Sequence, residues 1–347
     1  MLYQDGLENY SQLALPGVVG PESIAFDCNG EGPYVSVSDG RILKWQGAKL
    51  GWIEFSVSSP QRQDSQKSSG SLSDSSSSHK SPKTCIKMII NRISRPDRYS
   101  NSLPKLGLNL AETFKPPPKP KKRGLDQKVE WLHNLLLQLK ECPFRFTNAL
   151  DIDSKTGVVY FTDSSIYFQR REYLLAIINA DKTGRLMKYD PNSKKVTVLL
   201  KGLAFPNGVA LSKDNSFILV AESFTMRILK FYLVGSEIHG QETFIQLGRF
   251  PDNIKRTASG EFWVALNTGR GKIRRLDSTE PQQETAIDWL VDDPVAVRLT
   301  SGGKVVRVLD GNGGNALDSV SEVEEYSGLL WLGSSIKPYV GYINNKK

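Results

Sequence analysis

Gly202-Leu203-Ala204-Phe205-Pro206-Asn207-Gly208-Val209-Ala210-Leu211-Ser212-Lys213-Asp214-Asn215-Ser216-Phe217-Ile218-Leu219-Val220-Ala221-Glu222 reads as loop, short strand, polar turn, short strand. Val209 and Leu211 alternate with small neighbours, Asp214-Asn215 supplies a turn, and Phe217 to Val220 is an apolar run of strand length. A third strand follows in Arg227-Ile228-Leu229-Lys230-Phe231.

The same grammar recurs outward from this stretch. One copy opens at Glu22-Ser23-Ile24-Ala25-Phe26-Asp27 and continues into Tyr34-Val35-Ser36-Val37 and Arg41-Ile42-Leu43-Lys44-Trp45. Another opens at Asn148-Ala149-Leu150-Asp151-Ile152-Asp153, turns at Lys155-Thr156-Gly157 and continues in Val158-Val159-Tyr160-Phe161. A fourth runs from Asp252-Asn253-Ile254-Lys255-Arg256 through Ser259-Gly260 to Phe262-Trp263-Val264-Ala265. The weakest pairs Val323-Glu324-Glu325-Tyr326 with Leu329-Leu330-Trp331-Leu332-Gly333 across Ser327-Gly328. Three to four short strands per repeat, about 40–70 residues apart, suit the blades of a β-propeller; one large irregular β-sandwich is the alternative.

Between the first two copies the grammar stops. Residues 61–81 are Ser-rich and residues 115–123 are Pro- and Lys-rich, compositions expected to stay disordered because little apolar surface can be buried. Leu125, Val129, Leu132, Leu136 and Leu139 fall three or four apart, as on an amphipathic helix. The gap is about twice the usual repeat spacing, so one blade is expected to be replaced here. The resulting division is residues 1–55 for the first blade, 56–142 for the atypical segment and 143–347 for the remaining blades, all in one domain.

Composition narrows the function. The 347 residues carry a formal charge of +8, but much of the excess sits in the Lys/Pro tract, so a solvated surface is expected rather than a nucleic-acid stripe. No apolar run is long enough to span a bilayer, and residues 1–13 lack a secretory signal pattern. Cys28, Cys85 and Cys142 show no zinc spacing. Asn9-Tyr10-Ser11 is a glycosylation acceptor if the chain is secreted.

With these motifs in hand, the chain resembles the plant strictosidine synthase-like proteins, relatives of adipocyte plasma membrane-associated protein and, more distantly, of paraoxonases and gluconolactonases. Gly20-Pro21-Glu22-Ser23, Phe146-Thr147-Asn148-Ala149, Phe205-Pro206-Asn207-Gly208, Pro251-Asp252-Asn253-Ile254 and Gly328-Leu329-Leu330-Trp331 carry the resemblance, over residues 13–55 and from 143 onward. It implies an all-β, six-bladed β-propeller, here with the second blade replaced, whose site lies at the mouth of the central channel. A small-molecule substrate and a vacuolar or other secretory location are also implied.

Glu22, Asn148, Asn207, Asp252 and Asn253 each precede an apolar strand. In a propeller the innermost strands start at the channel, so these oxygens are expected to converge. Carboxylates and amides form a hard, oxygen-only set that favours Ca2+, and the resemblance to paraoxonases implies calcium ligands at these positions. Taken singly, each residue would instead serve as a turn cap.

For the reaction, two enzyme readings and one non-enzymatic reading stand. Strictosidine synthase condenses tryptamine with secologanin using a glutamate base. Counting back from Gly328 puts Ser321 at that place, and serine cannot deprotonate an amine unaided. Glu322 is the substitute base, which as a neighbour on a strand would need a bulge to face the same way. The favoured reading is calcium-dependent hydrolysis of an ester or lactone. The histidines, His79, His133 and His239, lie outside the channel motifs, which leaves Asp252 or Glu22 as base. A calcium-stabilised binding platform is the third reading.

Overall fold

The computed structural model describes residues 3–5, 10–27, 29–57, 144–235, 240–267, 293–314 and 317–344. Two N-terminal strands, β1 (Tyr3–Asp5) and β2 (Tyr10–Ala14), precede the first sheet of β3 (Ser23–Ala25), β4 (Tyr34–Ser36), β5 (Arg41–Trp45) and β6 (Trp52–Val57). The second sheet holds β7 (Thr147–Ile152), β8 (Val159–Asp163), β9 (Gly184–Asp190) and β10 (Lys195–Leu203). The third holds β11 (Pro206–Leu211), β12 (Phe217–Glu222), β13 (Arg227–Tyr232) and β14 (Gln241–Gln246). The fourth holds β15 (Phe250–Arg256), β16 (Phe262–Asn267), β17 (Pro294–Leu299) and β18 (Val305–Asp310), with β1 added in parallel to β18. The fifth holds β19 (Glu322–Tyr326), β20 (Leu329–Gly333) and β21 (Tyr339–Asn344), with β2 as its outermost strand. The last sheet thus joins both ends of the chain through β2 and β21, from Tyr10 opposite Ile343 to Ala14 opposite Tyr339.

Local chemistry explains each meander. At the turn between β11 and β12, Asp214 accepts from the Ser212 and Ser216 hydroxyls and the Ser216 N–H, while Asn215 takes a left-handed φ of 61°. The Ser216 hydroxyl and N–H, then the Ser212 hydroxyl, hold the Asp214 carboxyl down at about 2. β12 is buried along its whole length, as its apolar run requires, because sheets pack against both of its faces. Phe217, Leu219 and Ile228 of the third sheet meet Phe262, Val264 and Val297 of the fourth in one core cluster.

The described residues form a propeller-type all-β fold of five sheets, so the expectation of six blades is corrected. Each of the five repeats read in the sequence builds one sheet. The sixth blade was inferred from the family and from the spacing between the first two repeats, where residues 58–143 lie outside the described residues. The Ser/Pro/Lys-rich tract, the helix expected at 125–139, Asn9, the three cysteines and the three histidines also lie outside them.

Candidate active site at the channel mouth

The inner strands β3, β7, β11, β15 and β19 surround a narrow channel, lined by residues such as Ile24, Leu150, Val209, Ile254, Lys255 and Glu322. Its cavity of about 10 Å³ holds roughly one water. Room for anything larger lies only at the mouth, where the inner strands begin.

Three inner strands start with a register shift: between Thr147 and Leu150, between Pro206 and Val209, and between Pro251 and Ile254. Such bulges re-aim side chains, and each shift brackets a residue of the expected site: Asn148, Asn207 or Asp252. A serine past the second strand supports two of these positions, Asn148 and Asn207, from the side. Asn148 Nδ2 donates to Ser164 Oγ at 3.0 Å, and that hydroxyl donates to the Pro206 carbonyl at 2.7 Å. In the next sheet Ser223 Oγ donates to the Pro251 carbonyl at 2.6 Å.

Around the mouth these residues join a ring. Asn207 Nδ2 donates to Asp252 Oδ1 at 2.8 Å, and Asn267 Nδ2 donates to Asp252 Oδ2 at 3.2 Å. On the other side, Arg170 Nη1 donates to both Glu22 carboxylate oxygens at 2.8 and 2.9 Å, and Nη2 donates to Asn148 Oδ1 at 3.2 Å. The guanidinium also lies 5.5 Å from the Phe146 ring centroid, a cation–π distance. Burial pushes the Asp252 carboxyl up to about 7, and Glu22 repels its charge further, partly offset by Arg170. Asn207 Oδ1 and Arg170 Nε are buried without a protein partner among the described residues.

Arg170 was not read from the sequence. It lies on the connection between β8 and β9, which also holds the short helix α1 (Tyr173–Ile178). No motif marks it; the available signal was charge balance, because a buried ring holding Glu22 and Asp252 needs a cation.

Asn253 is buried beside the ring, where its N–H donates to the Ser321 carbonyl at 3.1 Å. Ser321 is fully buried, and its hydroxyl donates to the Glu22 carbonyl at 3.2 Å. Glu322 reaches the channel although β19 and β20 pair without any register shift. No bulge turns it to the face of Ser321, whose hydroxyl is directed to the Glu22 backbone. Glu322 Oε1 accepts from the Ile24 N–H at 2.6 Å and from Lys255 Nζ at 3.0 Å, and Lys255 donates to the Ile24 carbonyl at 3.2 Å. Burial pushes Glu322 up to about 7 against the pull of Lys255. Burial lowers the Lys255 ammonium, but Glu322 and Glu324 together hold it above its ordinary value.

Calcium does not fit this arrangement. The ion takes six to eight oxygens at about 2.3–2.6 Å, whereas a guanidinium already covers both oxygens of Glu22 and the amide oxygen of Asn148. Among the described residues no cluster of three or more His, Cys, Asp or Glu is placed to hold a metal. No helix among them is long and apolar enough to cross a membrane.

Residues 148–236 match the family described as strictosidine synthase, and residues 4–45 match the strictosidine synthase-like N-terminal family. Strictosidine synthase-like protein 10 of Arabidopsis thaliana is 42% identical over 343 residues, covering 94% of this chain and 86% of its own. Strictosidine synthase-like protein 2 of the same plant is 37% identical, covering 96% and 89%. A gluconolactonase structure from Xanthomonas campestris aligns at 14% identity and a TM-score of 0.39, covering 57% of this chain and 56% of that one. Identity of this extent along nearly the whole chain is decisive: the chain belongs to the strictosidine synthase-like family.

Proposed function

We propose that this protein hydrolyses a small ester or lactone at the channel mouth, with Arg170 as the cation of the site and Asp252 as the base. One observation carries the reading: a clamped guanidinium and a buried carboxylate share a ring whose Arg170 Nε and Asn207 Oδ1 lack protein partners among the described residues.

The spare Arg170 N–H polarises the substrate carbonyl and holds the oxyanion that forms when water adds to the carbonyl carbon. Asp252 takes the proton from that water, with Asn207 Oδ1 accepting the water's other hydrogen. Collapse of the tetrahedral adduct breaks the carbon–oxygen bond to the leaving group, and Asp252 returns its proton to the departing alkoxide. Tyr167, Leu174, Leu175 and Ile178, exposed on the connection that carries Arg170, offer apolar surface for a substrate with an apolar side. The test is turnover of phenyl acetate and of aliphatic lactones. Wild-type hydrolysis that persists in chelator and disappears in Asp252→Asn supports the assignment; a wild type inert to both substrate sets overturns it.

Condensation of tryptamine with secologanin is the second reading, favoured by the raised Glu322 carboxyl in the channel. Its 1% exposure and its hydrogen bonds to Lys255 and Ile24 weigh against it. Consumption of both compounds, faster in Ser321→Glu, would establish it. Binding without turnover of either set identifies a platform instead. A vacuolar or other secretory location belongs to the same proposal, and fractionation with glycosidase sensitivity at Asn9 tests it.

A further inference from the structure

We propose that Arg170 is a resident cation closing a latent calcium site, and that removing its charge converts the mouth ring into a calcium-binding centre. Oxygen donors of the right kind line the mouth in two hydrogen-bonded groups, Glu22 with Asn148 through Arg170 and Asp252 with Asn207. Glu22 and Asp252 supply carboxylates, Asn148 and Asn207 supply amide oxygens, and water can complete a calcium shell of six to eight. Asn207 is only 7% exposed, and its Oδ1 has no protein partner among the described residues, so one ligand position stands unused there.

Arg170 occupies the position the ion would need. Its Nη1 lies 2.8 and 2.9 Å from the two Glu22 oxygens and its Nη2 3.2 Å from Asn148 Oδ1. A divalent ion at those oxygens would lie within a few ångströms of the guanidinium, in a partly desolvated ring where repulsion is strong. The connection that carries Arg170 is also braced. Ser165 Oγ accepts from the Tyr167 and Phe168 N–H groups, and Gln169 N–H donates to the Glu172 carboxylate. At the far end, Thr183 Oγ1 accepts from Ile166 N–H. These bonds shape the connection and keep Arg170 over the ring.

The test reads calcium binding and no turnover, so its outcome is separate from the hydrolase assignment. Thermal unfolding is followed for the full chain in EGTA and in excess calcium, with isothermal titration of calcium alone. The wild-type midpoint is expected to stay unchanged. Arg170→Ser and Arg170→Gln are expected to rise by roughly 4 °C when calcium is about 100-fold above its Kd. Arg170→Ser combined with Asp252→Asn is expected to lose the response. A calcium-induced rise in the wild type overturns the proposal, as does a folded Arg170→Gln protein that ignores calcium. If Arg170→Ser folds only when calcium is added, that supports the proposal; if neither variant folds with or without calcium, it is overturned.

Discussion

Arg170 clasps both carboxylate oxygens of Glu22 across 148 residues of sequence, tying the connection after β8 to the residue that opens β3. The two side chains are 19% and 12% exposed, so neither charge is well solvated. Removing the guanidinium takes away the charge that offsets the repulsion of Glu22 on Asp252. Arg170→Ala is expected to destabilise the protein by about 1–3 kcal/mol, and Glu22→Gln by less because it also relieves the repulsion on Asp252. Urea unfolding of both variants and their double mutant measures this. Strictly additive losses would mean that the pair is not coupled.

Asp252 links chemistry and stability with opposite signs. Its carboxyl stands at about 7 in the fold and near 3.8 when unfolded, so the native state binds the extra proton between those values. Its contribution to stability is full below about 3.8 and is lost as pH rises through 7. Relative to wild type, Asp252→Asn should therefore gain about 2.5 kcal/mol of stability between pH 5 and pH 8. Hydrolysis, which needs the ionised base, should rise with pH through about 7 in the wild type. Denaturation at the two pH values and a rate profile check both signs; a stability difference independent of pH would contradict the raised carboxyl.

The sheets were legible because strand period and turn chemistry are local. Asp214, Asn215 and Ser216 build the turn that their residue types predict, and the apolar run after it becomes β12. That Asn148, Asn207 and Asp252 stand in the openings of inner strands was legible for a similar reason, since a polar residue ahead of an apolar run marks where a strand starts. What lies on that ring with them was not. Arg170 reaches Glu22 from a connection with no repeat signature, and only the folded chain brings the two together. The partners of Glu322 were not legible either, because strand alternation describes the faces of one sheet and says nothing of the neighbouring Ile24 backbone, which Glu322 and Lys255 satisfy.

Gly208 offers a test of how closely β11 and β15 approach. A Cβ there would lie 2.5 Å from the Asp252 carbonyl oxygen, 2.5 Å from the Ile254 nitrogen and 2.7 Å from the Asn253 Cα. All three are backbone atoms, so no side chain can swing away and the strands themselves must part. Gly208→Ala is expected to cost on the order of 2–4 kcal/mol and to weaken any hydrolysis, since Asn207 and Asp252 flank the contact. Thermal unfolding with a parallel esterase assay checks this, and a variant as stable as wild type would refute the close approach.

The buried pair of Asp163 and Arg185 is the strongest structural use of charge in the second sheet. Asp163 Oδ1 accepts the Phe146 N–H at 2.8 Å, and its other oxygen meets Arg185. Burial pushes the Asp163 carboxyl up while Arg185 pulls it down, and the net direction is upward. Arg185→Met keeps an aliphatic stem but strands an uncompensated carboxylate that is 0% exposed. The expected cost at pH 8 is about 3–5 kcal/mol. At pH 5 it should be smaller, because a carboxyl pushed up further binds a proton in the fold and that relief vanishes as pH rises through its folded value. Asp163→Asn in the same chain should recover part of the loss at pH 8, since the amide oxygen still accepts from Phe146. Denaturant unfolding of the single and double variants at both pH values decides the matter: an equal loss at pH 5 and pH 8 would show that the cost is lost packing around Arg185 and not a stranded charge.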